Sequence, residues 1–361
     1  MKKLDWYILR QLLVTFVTAM LIFTVIAVAV DSSEKTDNFV HSGLSGREII
    51  RQYYIGFIPY IWGMLYPLFV FIAVIFFTSK MAQRTEIVAM LATGVTYNRW
   101  LRTYLVGGIF FAVVLWFSAA YFIPRANDLR ATFEAKYVDS PSPEEVTRNN
   151  AHYMRTDSNT YVGLKYFDTL TKTGNSFFLN RIRGRQLVYN VRADMIKWDS
   201  SKRQWKLVNV TERIVGPMGE TIRQVPERYE NLHFVPYDLR RDKYQKDKLT
   251  TPELARYIKA EELRGNEGVN TLRVEYYRRT ATSYSVVLLT LIGAILAGRK
   301  TRGGSGVHLA LGIIISVTFI MFDRFSTVFS VKGNLHPVVA AWVPNFIFTF
   351  IAIYLYRKAP K

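Results

Sequence analysis

The sequence contains no cysteine, so it has neither a disulfide framework nor a thiolate metal site. Its five histidines (His41, His152, His233, His308 and His336) are scattered without ligand spacing, which argues against a zinc enzyme. Acidic residues are few: 28 Asp and Glu stand against 47 Lys and Arg, a formal net charge of +19. There is no GxSxG nucleophile elbow. One stretch, Gly298 to Gly303, has the GxxxxG spacing of a phosphate loop but continues Gly304-Ser305 instead of Lys-Ser/Thr. It also joins two apolar runs rather than a strand and a helix, and so reads as a basic turn. Within the apolar runs the only carboxylate is Asp323, beside Arg324, so the acid chain of a proton relay is missing. No repeat with a period of about 20–50 residues is visible. Any energy source therefore acts from a partner, and no cofactor or metal is expected.

What is present is apolar. Hydrophobic residues make up 50% of the chain and aromatic residues 15%. A basic balance of this size suits nucleic acid, but runs of about 20 apolar residues point to a bilayer instead. Leu12 to Val30 carries no charge; at 1.5 Å per residue it reaches about 28 Å, one hydrocarbon core. A cleaved signal peptide ending near Ala27-Val28-Ala29 is the lesser reading, because the run is long and more spans follow. A second span is expected over about 55–78, containing Pro59 and Pro67. A third is expected over about 104–123 and closed by Pro124. Three more are expected over about 280–297, 307–329 and 338–356.

Between the third and fourth spans lies a long polar section, read as an external domain over 124–279 between membrane halves 1–123 and 280–361. Its centre alternates with period two over 160–167, 176–182, 185–199 and 203–215. Turn signals separate these runs at Thr173-Gly174-Asn175, Asp199 to Lys202 and Gly216-Pro217. Short strands at this spacing predict an all-β, jelly-roll-like domain. A helix is then expected from Thr251 to about Arg264, with Thr251 as N-cap and Pro252 at the first position. The predicted fold is thus an α-helical membrane protein of six transmembrane helices with an external jelly-roll-like insert.

Six spans bring both ends to one side, and loop charge decides which side. Thirteen Lys and Arg fall in the two termini and in the turns around 79–102 and 298–304, against four (Lys35, Arg47, Arg51, Lys332) in the short alternate loops. The termini are therefore expected in the cytoplasm and the β-domain outside. The cytoplasmic turn Ser79–Arg102 contains a helical segment at about 80–94. On a helical wheel Ala82, Glu86, Ala89 and Thr93 share one face and Ile87, Val88 and Leu91 the other, with Gly94 as stop and Thr96 as the next N-cap. A lone carboxylate among small residues suits a partner's docking surface; the plainer alternative is an interfacial helix tying two spans together. At the outer span ends lies a basic collar, including Lys35, Arg47, Arg51, Arg125, Arg130, Arg278, Arg279 and Lys332. Such a collar can meet lipid phosphates at headgroup level, or simply snorkel. Asp323 and Arg324 are read either as a self-neutralised pair near the interface or as part of that phosphate-binding set.

These features resemble the LptF/LptG (YjgP/YjgQ) permeases of the lipopolysaccharide export ABC transporter. The opening KKLDWYILRQLLVTF is similar to that family's start, MAQRTEIVAMLATGV (81–95) resembles its coupling helix, and LRVEYYRRTATSYSVVLLTLIGAILAGRKTRGG (272–304) resembles its return into the fourth span. The β-domain is matched by pattern and position only. Ser283-Tyr284-Ser285 and Gly293-Ala294-Ile295 depart from the family's usual fourth span and leave the LptF or LptG identity open. The resemblance implies a permease of the bacterial inner membrane that extracts lipopolysaccharide from the outer leaflet. It implies a heterodimer with a paralogous LptF or LptG permease on a cytoplasmic LptB-like ATPase dimer. It also implies hand-over through LptC-like and LptA-like jelly-roll proteins, with the first and fifth spans as lateral gates. Arg84, Glu86, Ile87, Met90 and Leu91 are the expected ATPase-coupling residues. Lys35, Arg47, Arg125, Arg278 and Arg324 are the expected lipid contacts, Lys35 first and Arg324 next. The rival readings are another ABC permease (lipoprotein release or efflux), a secondary transporter, or a non-transporting scaffold whose β-domain binds a ligand.

Overall fold

The computed structural model describes residues 3–138, 152–168, 171–216, 219–232, 234–239, 244–264, 268–299, 304–333 and 335–359. Its described residues form two compact units, one of Met1–Val138, Lys246–Ala255 and Asn270–Lys361, the other of Asp139–Gln245 and Arg256–Val269.

The first unit holds six helices long and apolar enough to cross a membrane. Helix α1 (Lys3–Glu34) is followed by the short α2 (Thr36–His41) and α3 (Gly46–Ile49), the latter closed by a Ser45/Glu48 capping box. A π-helical turn (Ile50–Tyr54) joins α3 to α4 (Ile55–Gln83), and α5 (Glu86–Ala92) leads to α6 (Tyr97–Phe117). A second π turn (Ser118–Phe122) carries α6 into α7 (Ile123–Phe133). After the β-insert come α8 (Gln245–Lys248), α9 (Thr251–Arg264), α10 (Val269–Ala297), α11 (Gly304–Lys332) and α12 (Pro337–Lys358).

Three expectations change. Pro124 does not end the third span: it lies in the first turn of α7, just after the π turn, where its missing N–H costs no regular helical bond. The fourth span starts at Val269, eleven residues before the apolar run, because its polar first turns pack on the protein. The N-cap of α9 is Thr250 rather than Thr251: Glu253 reaches back to accept from the Thr250 N–H at 2.9 Å and its hydroxyl at 2.6 Å.

Helices α4 and α10 form the centre. They share a core with α1 and α6 through Leu12, Val70, Val74, Trp100, Tyr104 and Ala294. Close approach of backbones is built in: a Cβ at Gly56 of α4 would lie 2.4 Å from the Ala126 carbonyl oxygen of α7. Of the apolar window of α10, 67% is buried, against 11% of that of α1.

The second unit contains a seven-stranded antiparallel sheet: β1 (His152–Asp157), β2 (Thr160–Leu164), β3 (Tyr166–Asp168), β4 (Thr173–Arg183), β5 (Gln186–Asp199), β6 (Gln204–Gly216) and β7 (Gly219–Glu230). The order is β1-β2-β4-β5-β6-β7, with β3 also pairing β4, so β2 and β3 lie along the same edge of β4 and the other successive strands are neighbours. The all-β insert is therefore as expected, with a meander as its strand order. One face buries Val162, Phe177, Val191, Ile196, Leu207 and Trp205. The Trp205 indole donates to the Phe234 carbonyl at 2.8 Å, which satisfies its polar atom inside that core. Pro226 falls in β7, an edge strand, where a missing donor is tolerated.

Candidate functional site

Contacts define two ends of the helical unit. At one end, the termini meet the turns: the Thr103 hydroxyl donates to Asp5 at 3.0 Å, Tyr356 to Asn98 at 2.8 Å, and Arg299 to the Lys358 carbonyl at 2.6 Å. Here α4 stops at Gln83, and Thr85, at φ +59°, turns the chain into α5. Ala82 accordingly belongs to α4 and is buried, not on the face of α5. Gly94 sits at φ +89°, its N–H bonding Leu91 O while the Val95 N–H bonds Met90 O, the paired bonds of a Schellman stop. Thr96 is extended, and its carbonyl accepts from Trp100 at 3.1 Å as α6 begins.

Among the coupling candidates, Ile87 is buried, and Met90 and Leu91 are half-buried against the same core. Glu86 accepts from the Tyr7 hydroxyl of α1 at 3.3 Å and lies 3.9 Å from exposed Arg84. Val88, expected inside, is exposed with Ala89, Ala92 and Thr93. The outward surface of α5 is thus small and apolar, with Glu86 at its edge. A partner's backbone can come close to it, as it can to any stripe of small residues.

At the opposite end the basic collar divides. Lys35 is held between Asp31 and Glu134, at 2.9 Å from each, and donates to the Tyr53 hydroxyl. Arg130 pairs with Glu134 at 3.1 Å, stacks on the Tyr60 ring at 3.7 Å and donates to Asn127 at 2.7 Å. Asn127 donates to the Asp247 carbonyl at 3.2 Å, and Arg279 to the Lys246 carbonyl and the Thr251 hydroxyl, both at 3.0 Å. Glu275 pairs with Arg278 at 2.6 Å and with Arg279 at 3.6 Å. Arg278 in turn lies 3.8 Å from Asp323. One polar belt therefore runs through α1, α4, α7, α8, α10 and α11. Each buried charge has a partner of opposite sign, the condition for tolerating it.

Asp323 faces Arg278 rather than Arg324, because adjacent helical residues point apart. Arg324 is exposed and makes no ion pair within 4.0 Å among the described residues; Arg47 and Arg125 are exposed too. Lys35 and Arg278 are bound to carboxylates. Sequence reading missed Asp31, Tyr53, Glu134, Asp247 and Glu275. Their signal, carboxylates and a phenol beside Lys35, Arg130, Arg278 and Arg279, is spread over as many as 99 residues.

The match to known families decides the broad question. The family model described as lipopolysaccharide export system permease LptF/LptG matches residues 6–358, nearly the whole chain. The chain belongs to the LptF/LptG family. A search of curated proteins found no match. As an LptF/LptG protein this chain is a multi-pass membrane permease of lipopolysaccharide export, a transport component rather than a catalyst.

Proposed function

We infer that this LptF/LptG permease extracts lipopolysaccharide from the outer leaflet of the inner membrane and passes it to periplasmic jelly-roll partners of the LptC and LptA kind. In this reading the termini and α5 face the cytoplasm, in line with thirteen basic residues on that side against four in the short opposite loops. An LptB-like ATPase dimer docks on α5, and a paralogous permease completes the pair. The observation that carries the reading is the outward surface of α5. It is a short helix held from behind by Ile87, with Val88, Ala89, Ala92 and Thr93 exposed beside Glu86. Arg84 and Glu86 guide the docking by charge, while Ile87, Met90 and Leu91 hold the helix to its own core.

For the cargo, the exposed cations Arg47, Arg125 and Arg324 are the proposed phosphate contacts. Lys35 and Arg278 contribute through the belt, engaging phosphate only by exchanging a carboxylate partner. The test is co-purification in mild detergent. The unaltered protein should bring down a soluble ABC ATPase and a second, similar permease. Glu86→Arg and Ala89→Arg should each release the ATPase while keeping the second permease. An absence of ATPase from every preparation of folded protein removes this reading and favours a ligand-binding membrane scaffold.

A further inference from the structure

The first three spans do not share one apolar core. Toward the terminal end, Leu12 and Phe16 of α1, Val70 and Phe77 of α4, and Tyr104 and Leu115 of α6 pack together. From α4 the packing continues into α10, α11 and α12 through Phe71, Ile75, Ile292, Phe319 and Phe348. At the belt end a separate core of Phe39, Tyr53, Tyr54, Phe57 and Phe133 shares no residue with either. Gly56 against the backbone of Ala126, and Arg130 stacked on the Tyr60 ring, lock the first turns of α4 to α7. These first turns, α2 and α7 therefore form a cap with its own interior. The cap meets α8 through a hydrogen bond, from Asn127 to the Asp247 carbonyl.

Three spans pass from one core to the other, and each is weakly held where it crosses. Helix α1 leaves the first core at Met20 and meets the second at Val28, with Leu21, Ile22, Val25 and Ile26 exposed between them. Helix α4 changes core between Ile61 and Tyr66. Within that interval the Gly63 carbonyl loses its regular partner, because Pro67 has no N–H. The third span crosses at the π turn Ser118–Phe122, where the Ile123 N–H bonds the Ser118 carbonyl five residues back. Pro124 follows, so the regular ladder of α6 does not run on into α7. Prolines and π turns are the places where long helices bend. A cavity of about 260 Å³ lies against both breaks, lined by Gly63 and Pro67, by Ala119 and Ile123, and by Thr282 and Phe319 across from them. On its other side the π turn exposes Tyr121 and Phe122. The joint is thus gripped on neither side, between two bodies that are each close-packed.

We propose that the cap tilts as a rigid body on the rest of the helical unit, bending at Ser118–Phe122 and Gly63–Pro67 and narrowing or widening the cavity, with more than one tilt populated in the resting chain. At 1.5 Å per residue the third span reaches about 20 Å from Ala119 to Phe133, so a tilt of about 15° carries its far end about 5 Å. Close-packed cores move whole, and a few residues between them take up the change. The Lys35–Glu134–Arg130 cluster lies within the cap and travels with it. The device rests on the membrane placement of these helices and not on the docking of an ATPase to α5.

The permease is purified with its native partners, placed in lipid nanodiscs without nucleotide, and spin-labelled in pairs through p-acetylphenylalanine at exposed positions. Double electron–electron resonance then gives the spread of each distance. Leu129 of α7 with Phe346 of α12 crosses the joint; Val113 of α6 with Phe346 lies on one side of it, and Leu129 with Val40 of α2 lies within the cap. The crossing pair should show a distribution at least about 5 Å wider than either control. Two substitutions should each narrow it to the width of the controls: Pro67→Ala, which returns a donor to the Gly63 carbonyl, and Ala119→Leu, which fills the cavity beside the π turn. Should one of them fail to fold, the other decides. A crossing pair as narrow as the controls, an equally wide pair within the cap, or a spread unchanged in every folded variant overturns the proposal. Because α5 is untouched and no nucleotide is added, ATPase co-purification reports separately on the export reading.

Discussion

Helices α1 and α10 share a chain and a membrane, yet their surfaces are used in opposite ways. The apolar window of α10 is 67% buried and that of α4 56%, whereas only 11% of the α1 window and 22% of the α11 window are buried. Helix α1 is also the most apolar of the six, so hydrophobicity does not decide which helix is central. Small residues do. Gly293 on α10 meets Phe71 and Val74, and Gly56 on α4 meets the backbone of α7. In lipid, association follows close packing and polar contacts rather than apolar area, because lipid tails are as apolar as the side chains. On α1 and α11, Val25, Ile26, Ile314 and Val317 are instead left outward. These two helices are the proposed seams, open to lipid, cargo and a second permease.

The sharpest way to break this contrast is at Gly56. A Cβ there would sit 2.4 Å from one backbone atom and 2.7 Å from another, neither of which can swing away. Gly56→Val should exceed the roughly 1–3 kcal/mol usual for overpacking and abolish folded material, read as loss of the monodisperse peak in size-exclusion chromatography. Recovery of normal amounts would mean that α4 and α7 are not in backbone contact.

The next effect concerns the belt that fastens α1. Glu134 joins Lys35, which directly follows α1, to Arg130 of α7, and its side chain is buried. Glu134→Ala leaves the buried Arg130 and the half-buried Lys35 short of one carboxylate, which costs about 3 kcal/mol when a buried pair is broken. Asp31 remains beside Lys35 and softens the loss. A thermal-unfolding midpoint several degrees lower is expected; an unmoved midpoint would show the belt to be stabilising nothing.

On the seams the expectation reverses. Val25→Trp and Ile314→Trp should change stability by less than about 0.5 kcal/mol, since neither side chain is packed within the chain. Lipopolysaccharide release from proteoliposomes should nevertheless fall at least about tenfold. Stability loss with intact transport would reverse the assignment of seam and centre.

The smallest effect lies in the sheet. The Tyr189 hydroxyl donates to Glu212 at 2.5 Å and, with Arg228 at 3.1 Å, holds that carboxyl below its ordinary range. A lowered folded-state value means that the stabilisation is complete above the unfolded carboxyl range and is lost as pH falls through the folded value. Glu212→Gln should therefore narrow its stability deficit as the medium is acidified from neutral. A deficit constant with pH would show that the carboxylate charge contributes nothing.

Much of this was legible beforehand. Charge-free runs announce the six spans because bilayer thickness fixes their length, and alternation announces β4, β5 and β6. Strand β7 was not legible, because its stretch Gly219–Glu230 is exposed on both faces and carries no alternation. Pro124 misled because a π turn absorbs it. At α5, the charge of Glu86 and the stop at Gly94 were readable, but the left-handed Thr85 was not. That residue rotates α5 out of phase with α4 and turns Val88 outward. The cations of the collar were readable one by one. Their partners were not, because Lys35 and Glu134 meet only once α1 and α7 have packed.

The most direct test places a photoreactive benzoylphenylalanine at one position at a time in the intact complex: Val25 of α1, Ile314 of α11, Val74 of α4 and Ile292 of α10. The account predicts that Val25 and Ile314 capture lipopolysaccharide and the second permease, while Val74 and Ile292 form adducts only within the chain. Capture of lipopolysaccharide from Val74 or Ile292, with none from Val25 or Ile314, would contradict it.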